Sequence, residues 1–390
     1  MNERKKLFGY RRPDGRVGFR NHILILPVSV CACDVAQAVA AQVEGAVSFH
    51  NQNGCSQPGK DLEYTVDVMA GFAANPNIYG TVAISLGCES AQMSWMEKEI
   101  RARTSKPLET LVIQEEGGSL KTIEKAVRLA MKMSAEAELI QREEVSYSEL
   151  IVGTECGGSD PTSGFAANPV VGRMSDILVD LGGTSILSET TEMLGTEQIL
   201  ARRAATPEVA ARIYEITERY EESLLLVGEN IRKANPSPGN IRAGITTLEE
   251  KSLGCIHKGG TKTIQAVLDY AKQVKDKGLV IMDTPGNDPS SVAGMVAGGA
   301  QIIVFTTGMG TPTGNPIAPV IKLTGNRNTF ETMRDNMDFD ASPVLFGEAS
   351  LEELGESLLD LVIETANGRK PAAELLKYGE IAIMRASNYC

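Results

Sequence analysis

The chain has 390 residues, 42% hydrophobic, 23% charged and 5% aromatic, with a formal net charge of −12 and a pI near 5.0. That length suggests two domains with a core large enough to need no disulfide staples. The acidic balance argues against nucleic acid or an anionic membrane as the main partner.

The charged start, MNERKKLFGYRRPDGR, is not followed by a signal-peptide pattern, and HILILPVSV is too short to span a membrane. A cytoplasmic protein is expected, with its seven Cys reduced rather than paired. Strands are predicted at His22 to Val28, Ala46 to His50, Thr81 to Leu86 and Leu108 to Ile113. Helices are predicted between and after them, at Val35 to Val43, Leu62 to Ala73, Ala91 to Ala102 and Leu120 to Leu139. This alternation argues for parallel sheets covered by helices. The polar run Gln141 to Ser148 marks a boundary, giving an N-terminal α/β domain over 1–145 and a C-terminal α/β domain over 146–390. The rhythm restarts with strands at Glu149 to Gly153 and Thr184 to Leu187, around a helix at Val170 to Leu181. Pro207 to Lys233 reads as one long helix that NPSPGN (235–240) breaks. Further strands are expected at Gly278 to Met282 and Gln301 to Phe305, and a last helix at Leu351 to Gly368. The fold class is therefore α/β, as two Rossmann-like lobes.

The informative loops follow strand ends and combine Gly, Cys and an acid. SLGCES carries Cys88 and Glu89, and VGTECGGSD carries Glu155, Cys156, Ser159 and Asp160. FHNQNGCSQPG carries His50, Asn53 and Cys55, and SLGC brings Cys255 after Glu249, Glu250 and Lys251. Ligands of open α/β sheets sit beyond the carboxyl ends of strands, so such loops can converge on one pocket. A buried Cys is also an ordinary core residue, and no CxxC signals zinc or redox chemistry; Cys31 and Cys33 are one residue apart. Soft thiolates select iron–sulfur clusters, zinc or copper, while carboxylate and imidazole suit harder ions. Of three His, His50 is the imidazole candidate; His22 and His257 read as structural or exposed. TTGMGTPTGNP (306–316) lacks a Walker Lys and reads as a loop presenting backbone N–H groups to a carboxylate. DTPGND (283–288) is a plain turn or a polar wall of the pocket, and no nucleophilic triad emerges.

On these loops the sequence resembles the altronate/galactarate dehydratase family over nearly its whole length. The resemblance runs through RPDGRVGFRN, GCSQPG, LGCE, ECGGSD, SGFAANPVVGRMSD and SETTEMLGTEQ. It continues through NPSPGN, GITTLEEKSLGC, PGND, TTGMGTPTGNP and TANGR. It implies a large catalytic subunit of an iron-dependent dehydratase that removes water from a sugar acid, leaving a 2-keto-3-deoxy acid. Members of the family carry a further small β-rich domain, so a separate small subunit is expected, within a homo- or hetero-oligomer. The related C–S lyase acting on sulfolactate and a non-catalytic metabolite-binding subunit are the alternatives.

The implied chemistry needs a base for the C2 proton and a cation for the developing charge. The family implies Fe²⁺, with Mn²⁺ as a substitute, or an iron–sulfur cluster. Expected metal ligands are Cys55, Cys88, Cys156 and Cys255, or else His50 with Glu89 or Glu192. Glu249, Lys251 and His50 are the catalytic candidates. Arg20, Asn21, Asn168, Ser159, Asp160, Thr306, Thr307 and Gly308 are the substrate-binding candidates.

Overall fold

A computed structural model describes residues 4–386. Its first part runs β1 (Leu7–Arg11), β2 (Val17–Gly18), β3 (His22–Pro27), α1 (Cys33–Ala40), β4 (Ala46–Val47), α2 (Gly59–Ala74), β5 (Ile78–Ser85), α3 (Met93–Arg103), β6 (Leu108–Val112), α4 (Ser119–Glu138) and β7 (Glu143–Val145). Strands β4–β3–β5–β6 form a parallel sheet in that order. Its central strands are nearly continuous apolar runs because both faces are covered. Val35, Val39, Ala126 and Ala130 of α1 and α4 pack on one face, and Val66, Met69 and Met96 of α2 and α3 belong to the core on the other.

The second part runs β8 (Ile151–Cys156), α5 (Asn168–Asp180), β9 (Thr184–Leu187), α6 (Pro207–Leu226), α7 (Leu248–Cys255), β10 (Ile264–Leu268), β11 (Gly278–Met282), α8 (Asp288–Ala297), β12 (Ile302–Thr306), β13 (Val320–Thr324), β14 (Phe339–Asp340) and α9 (Leu351–Ala366). Its seven strands are all parallel, in the order β10–β11–β9–β8–β12–β13–β14. Helices α5 and α9 bury Val170, Met174, Leu358 and Val362 against one face, and α8 covers the other.

The helix expected over 207–233 ends at Leu226 instead. Gly228 adopts φ +79 and Glu229 N–H reaches back to Leu224 O at 2.9 Å, a left-handed stop that glycine makes at no steric cost. The segment expected only as a breaker holds a short helix, Pro238–Ala243, closed by a capping box between Ser237 and Asn240.

The two sheets share a core through α2 and α8. A Cβ on Gly71 would lie 2.6 Å from Ala297 O, so glycine is what lets the C-terminal halves of these helices touch. Near the other ends, Tyr64 meets Tyr270 edge-on and the Tyr270 hydroxyl donates to Ser290 O at 2.8 Å. The helices therefore run the same way, and the carboxyl ends of both parallel sheets face one side of the molecule. An N-terminal arm clasps the back: β1 pairs antiparallel with β2 and β7, and Arg20 holds Glu374 (2.7 Å), Thr365 O (2.8 Å) and Arg369 O (2.9 Å).

Candidate active site

In the seven-stranded sheet the chain leaves β8 toward β9 on one side and returns through β12 on the other. Such a reversal opens a crevice at the carboxyl ends of the strands. Glu155 and Cys156 end β8, and Thr306 ends β12 opposite Cys156.

Five further groups come to this edge. The turn after β9 supplies Glu189 and Glu192, with Glu189 at φ +69, a left-handed conformation that costs a non-glycine residue strain. Helix α7 ends on Cys255 and supplies Lys251, and the 3₁₀ turn behind it (Ile256–Gly259) supplies Lys258. Lys258 is completely buried, ion-paired with Glu189, and its Nζ lies 2.8 Å from Cys255 Sγ. Cys255 Sγ donates to Glu192, whose other oxygen pairs with Lys251 Nζ at 2.7 Å. Cys156 Sγ meets Ser159 Oγ at 3.0 Å, and its backbone N–H donates to Glu189 at 3.0 Å. On the opposite face Glu155 accepts from Ser291 (2.6 Å) and Ser188 (3.0 Å). One oxygen each of Glu155 and Glu189 is buried without a partner.

The environments push like groups apart. The hydrogen bond with Cys255, helped by the Lys258 ammonium, lowers the Cys156 thiol to about 6, while burial pushes Cys255 well up. Burial, then the Asp288 charge, raises Glu155 to about 8, and burial raises Asp288 to about 6. Burial would lower Lys258 and Lys251, but Cys255 and Glu189 around the first and Glu192 beside the second hold both ammoniums charged. Lys322 differs: burial brings it down to about 7, its Nζ is unpartnered, and it lies over the Phe305 ring. A cavity of about 250 Å³ adjoins the cluster, lined among others by Ser159, Phe165, Asn168, Lys251, Cys255 and His257.

Several expected site residues meet here. Ser159, Asp160, Asn168 and Lys251 line the cavity with Cys255. Asn168 donates to Gly254 O (3.0 Å) and accepts from Thr306 Oγ1 (2.7 Å). Others are placed differently. Glu249, expected as a base, is half-exposed and paired with Arg232. His50 is exposed and lines a separate cavity with residues 381–383 and Arg385. Arg20 is spent on the α9 end, and Asn21 accepts from Arg12 (2.7 Å) and donates to Ala137 O (2.7 Å), so neither faces the crevice. Four N–H groups of the glycine-rich loop, those of Thr307, Met309, Gly310 and Thr311, are taken within the protein. Thr307 N donates to Leu323 O, Met309 N to Gly158 O, and Gly310 and Thr311 N to Thr307 Oγ1. Gly308 O is taken by Thr329 Oγ1.

The four-thiolate assembly is also replaced. Cys156 and Cys255 meet, whereas Cys55 and Cys88 sit on loops of the first sheet. One ligand atom each of Cys156, Glu192 and Cys255 lies within 4.8 Å of the others, close enough for one metal ion to bridge. Yet Lys258 and Lys251 already hold the Cys255 sulfur and the Glu192 carboxylate. A divalent cation would have to displace the buried Lys258 ammonium and the Lys251 ammonium on the cavity wall, so the group as built does not fit one. Sequence reasoning missed Lys258, Glu189 and Lys322. The only local signals were the Glu-x-x-Glu after β9 and a Lys three residues beyond Cys255.

Comparison with known proteins adds the following. Residues 147–388 match the family described as D-galactarate/altronate dehydratase, C-terminal, and 9–138 match the second domain of D-galactarate dehydratase/altronate hydrolase. The chain is 38% identical to the (2R)-sulfolactate sulfo-lyase subunit beta of Chromohalobacter salexigens, over 98% of this chain and 97% of that one. It is 33% identical to the altronate dehydratase of Bacillus subtilis over 99% of this chain and 78% of that one. With the galactarate dehydratase (L-threo-forming) of Escherichia coli the identity is 34%, over 93% and 73%.

Proposed function

The chain belongs to the D-galactarate/altronate dehydratase family, and we propose that it is a hydro-lyase removing water from a sugar acid of the altronate or galactarate kind to give a 2-keto-3-deoxy acid. Relatives named for those reactions support the reading. The observation that carries it is the buried group of Cys156, Cys255 and Glu192, ligand atoms within 4.8 Å of one another, set beside a cavity and the Lys251 and Lys258 ammoniums.

Elimination needs a base for the C2 proton, an acid for the C3 hydroxyl and a cation near the carboxylate as its charge grows. Cys156, a thiolate at neutral pH, takes the C2 proton. Cys255, which keeps its proton, gives it to the departing hydroxyl. Lys251 stays charged on the cavity wall and holds the substrate carboxylate, so its role is a clamp rather than a base. Lys258 does not face solvent; its ammonium favours the thiolate form of both cysteines, while burial and the hydrogen bond between them set the two apart, so it is a positioning residue. Ser159 and Asn168 orient Cys156 and the Gly254 backbone. At this group the lysines occupy the ligand atoms that a metal would need.

Loss of sulfite in place of water is the second reading, since the sulfo-lyase subunit matches this chain end to end. That relative is called subunit beta, which supports a further chain as partner. Among the described residues no helix is long and apolar enough to cross a membrane. The test is to supply altronate, galactarate and (2R)-sulfolactate separately and to measure keto acid and sulfite. Keto acid without sulfite, from a sugar acid only, supports the hydro-lyase. Sulfite from sulfolactate with inert sugar acids would overturn it in favour of the second reading.

A further inference from the structure

The first sheet also has a reversal point: the chain leaves β3 toward β4 and returns through β5 on the other side. Three loops meet at this carboxyl edge, and each carries one cysteine: Cys31 after β3, Cys55 after β4 and Cys88 after β5. Val30 N donates to Asn53 O (3.2 Å), Ser56 N to Ser90 Oγ (3.1 Å), Ala91 N to Gly54 O (2.8 Å) and Ser29 Oγ to Glu89 (3.1 Å). Each cysteine is thus one or two residues, at about 3.8 Å per Cα step, from a bond joining its loop to another. The fit is close: Gly54 has φ +97, and a Cβ there would lie 2.3 Å from Val28 O. Cys33 fixes the assembly from beneath, its buried sulfur 3.2 Å from both Asn51 N and Asn51 O.

These three thiols differ from the pair on the second sheet in having no ammonium on them. Cys31 and Cys88 are exposed and Cys55 is half-buried. Around one tetrahedral ion, with metal–sulfur bonds of about 2.3 Å, the sulfurs would lie about 3.8 Å apart. The three are not that close, because the Cys156 group is the metal-sized set among the described residues. One ion held by all three is therefore ruled out, which leaves a polynuclear centre as what three soft thiolates on interlocked loops would hold, and such thiolates select iron and sulfide.

We propose that Cys31, Cys55 and Cys88 bind an iron–sulfur cluster, each thiol releasing its proton on ligation, with one iron left without a protein sulfur. Both sheets present their carboxyl ends on the same side of the molecule, so these three loops and the Cys156 crevice share that side. The inference stands whether water or sulfite is the leaving group.

The experiment is anaerobic reconstitution of the full chain with ferrous iron and sulfide, followed by iron and acid-labile sulfide analysis and visible spectra. About four irons and four sulfides per chain are expected for a cubane cluster, with the content falling to background in Cys31→Ser, Cys55→Ser and Cys88→Ser. Cys156→Ser and Cys255→Ser serve as comparisons and should bind as the parent does. Mass-spectrometric alkylation of the parent, with and without the cluster, guards against misfolded variants, since bound iron should shield these three cysteines and no others. Iron without sulfide, iron that follows Cys156 and Cys255, or no iron with all three thiols freely alkylated would each overturn the proposal.

Discussion

The two parallel sheets place cysteines at the same kind of position, the carboxyl edge beside a reversal in strand order, and give them opposite company. On the second sheet Cys156 and Cys255 are buried with three glutamates and two lysines. On the first, Cys31, Cys55 and Cys88 have backbone loops and helix starts around them and open toward solvent. Residue type and topology therefore do not decide what a thiol does. On the two proposals made above, the neighbouring charges decide whether it moves protons or ligates metal.

Removing the charge that defines the second sheet should have the largest effect. Lys258→Met leaves Glu189 and Cys255 buried without their cation, and a loss of about 3–5 kcal/mol is expected for breaking a buried pair, read by denaturant unfolding. Unchanged stability would mean that the lysine is dispensable. Cys156→Ser should keep the fold but lower kcat by about 10²–10⁴, the range for a general base, with KM for the acid little changed. A KM effect alone would make Cys156 a binding group.

The pH profile sharpens the same point. Because the Cys156 thiol lies near 6, its thiolate forms as pH rises, so activity should climb through about pH 6. In Cys156→Ser that rising limb should disappear. The smallest effect belongs to Cys33, whose sulfur bonds the Asn51 backbone and, at 3.8 Å, Ser29 O. Cys33→Ala should cost about 1 kcal/mol, the usual net value of a hydrogen bond, and leave iron binding intact.

The sequence revealed the sheets wherever strands are buried on both faces. Thr184–Leu187 and Gly278–Met282 are found at their expected bounds. The edge strand Ile264–Leu268 was missed, since only Ile264 is fully buried and the run has no clear alternation. Helix α8 was missed as well, because DPSSVAGMVA is short, small-residued and buried all round, which erases the 3.6-residue stripe. Half of the site was legible. Cys156 and Cys255 stood out through their glycine neighbours, but the lysine–glutamate pair spans 69 residues and has no local signature. The loop Thr306–Gly310 misled because glycines announce a turn without saying whether its N–H groups go to a ligand or to the turn itself.

The N-terminal arm sets a condition on biosynthesis. Arg20 emerges early, yet the groups it binds lie 345 to 354 residues later. At synthesis rates of about 5–20 residues per second, β1 has its strand partners by residue 145, but the Arg20 cation waits tens of seconds for its own. The first sheet can form in that interval from contacts nearby in sequence, but the clasp cannot close until the ribosome has nearly finished. Arg20→Ala should therefore spare the early lobe and impair the final locking step, so that nascent chains stalled before residue 365 would resemble the variant.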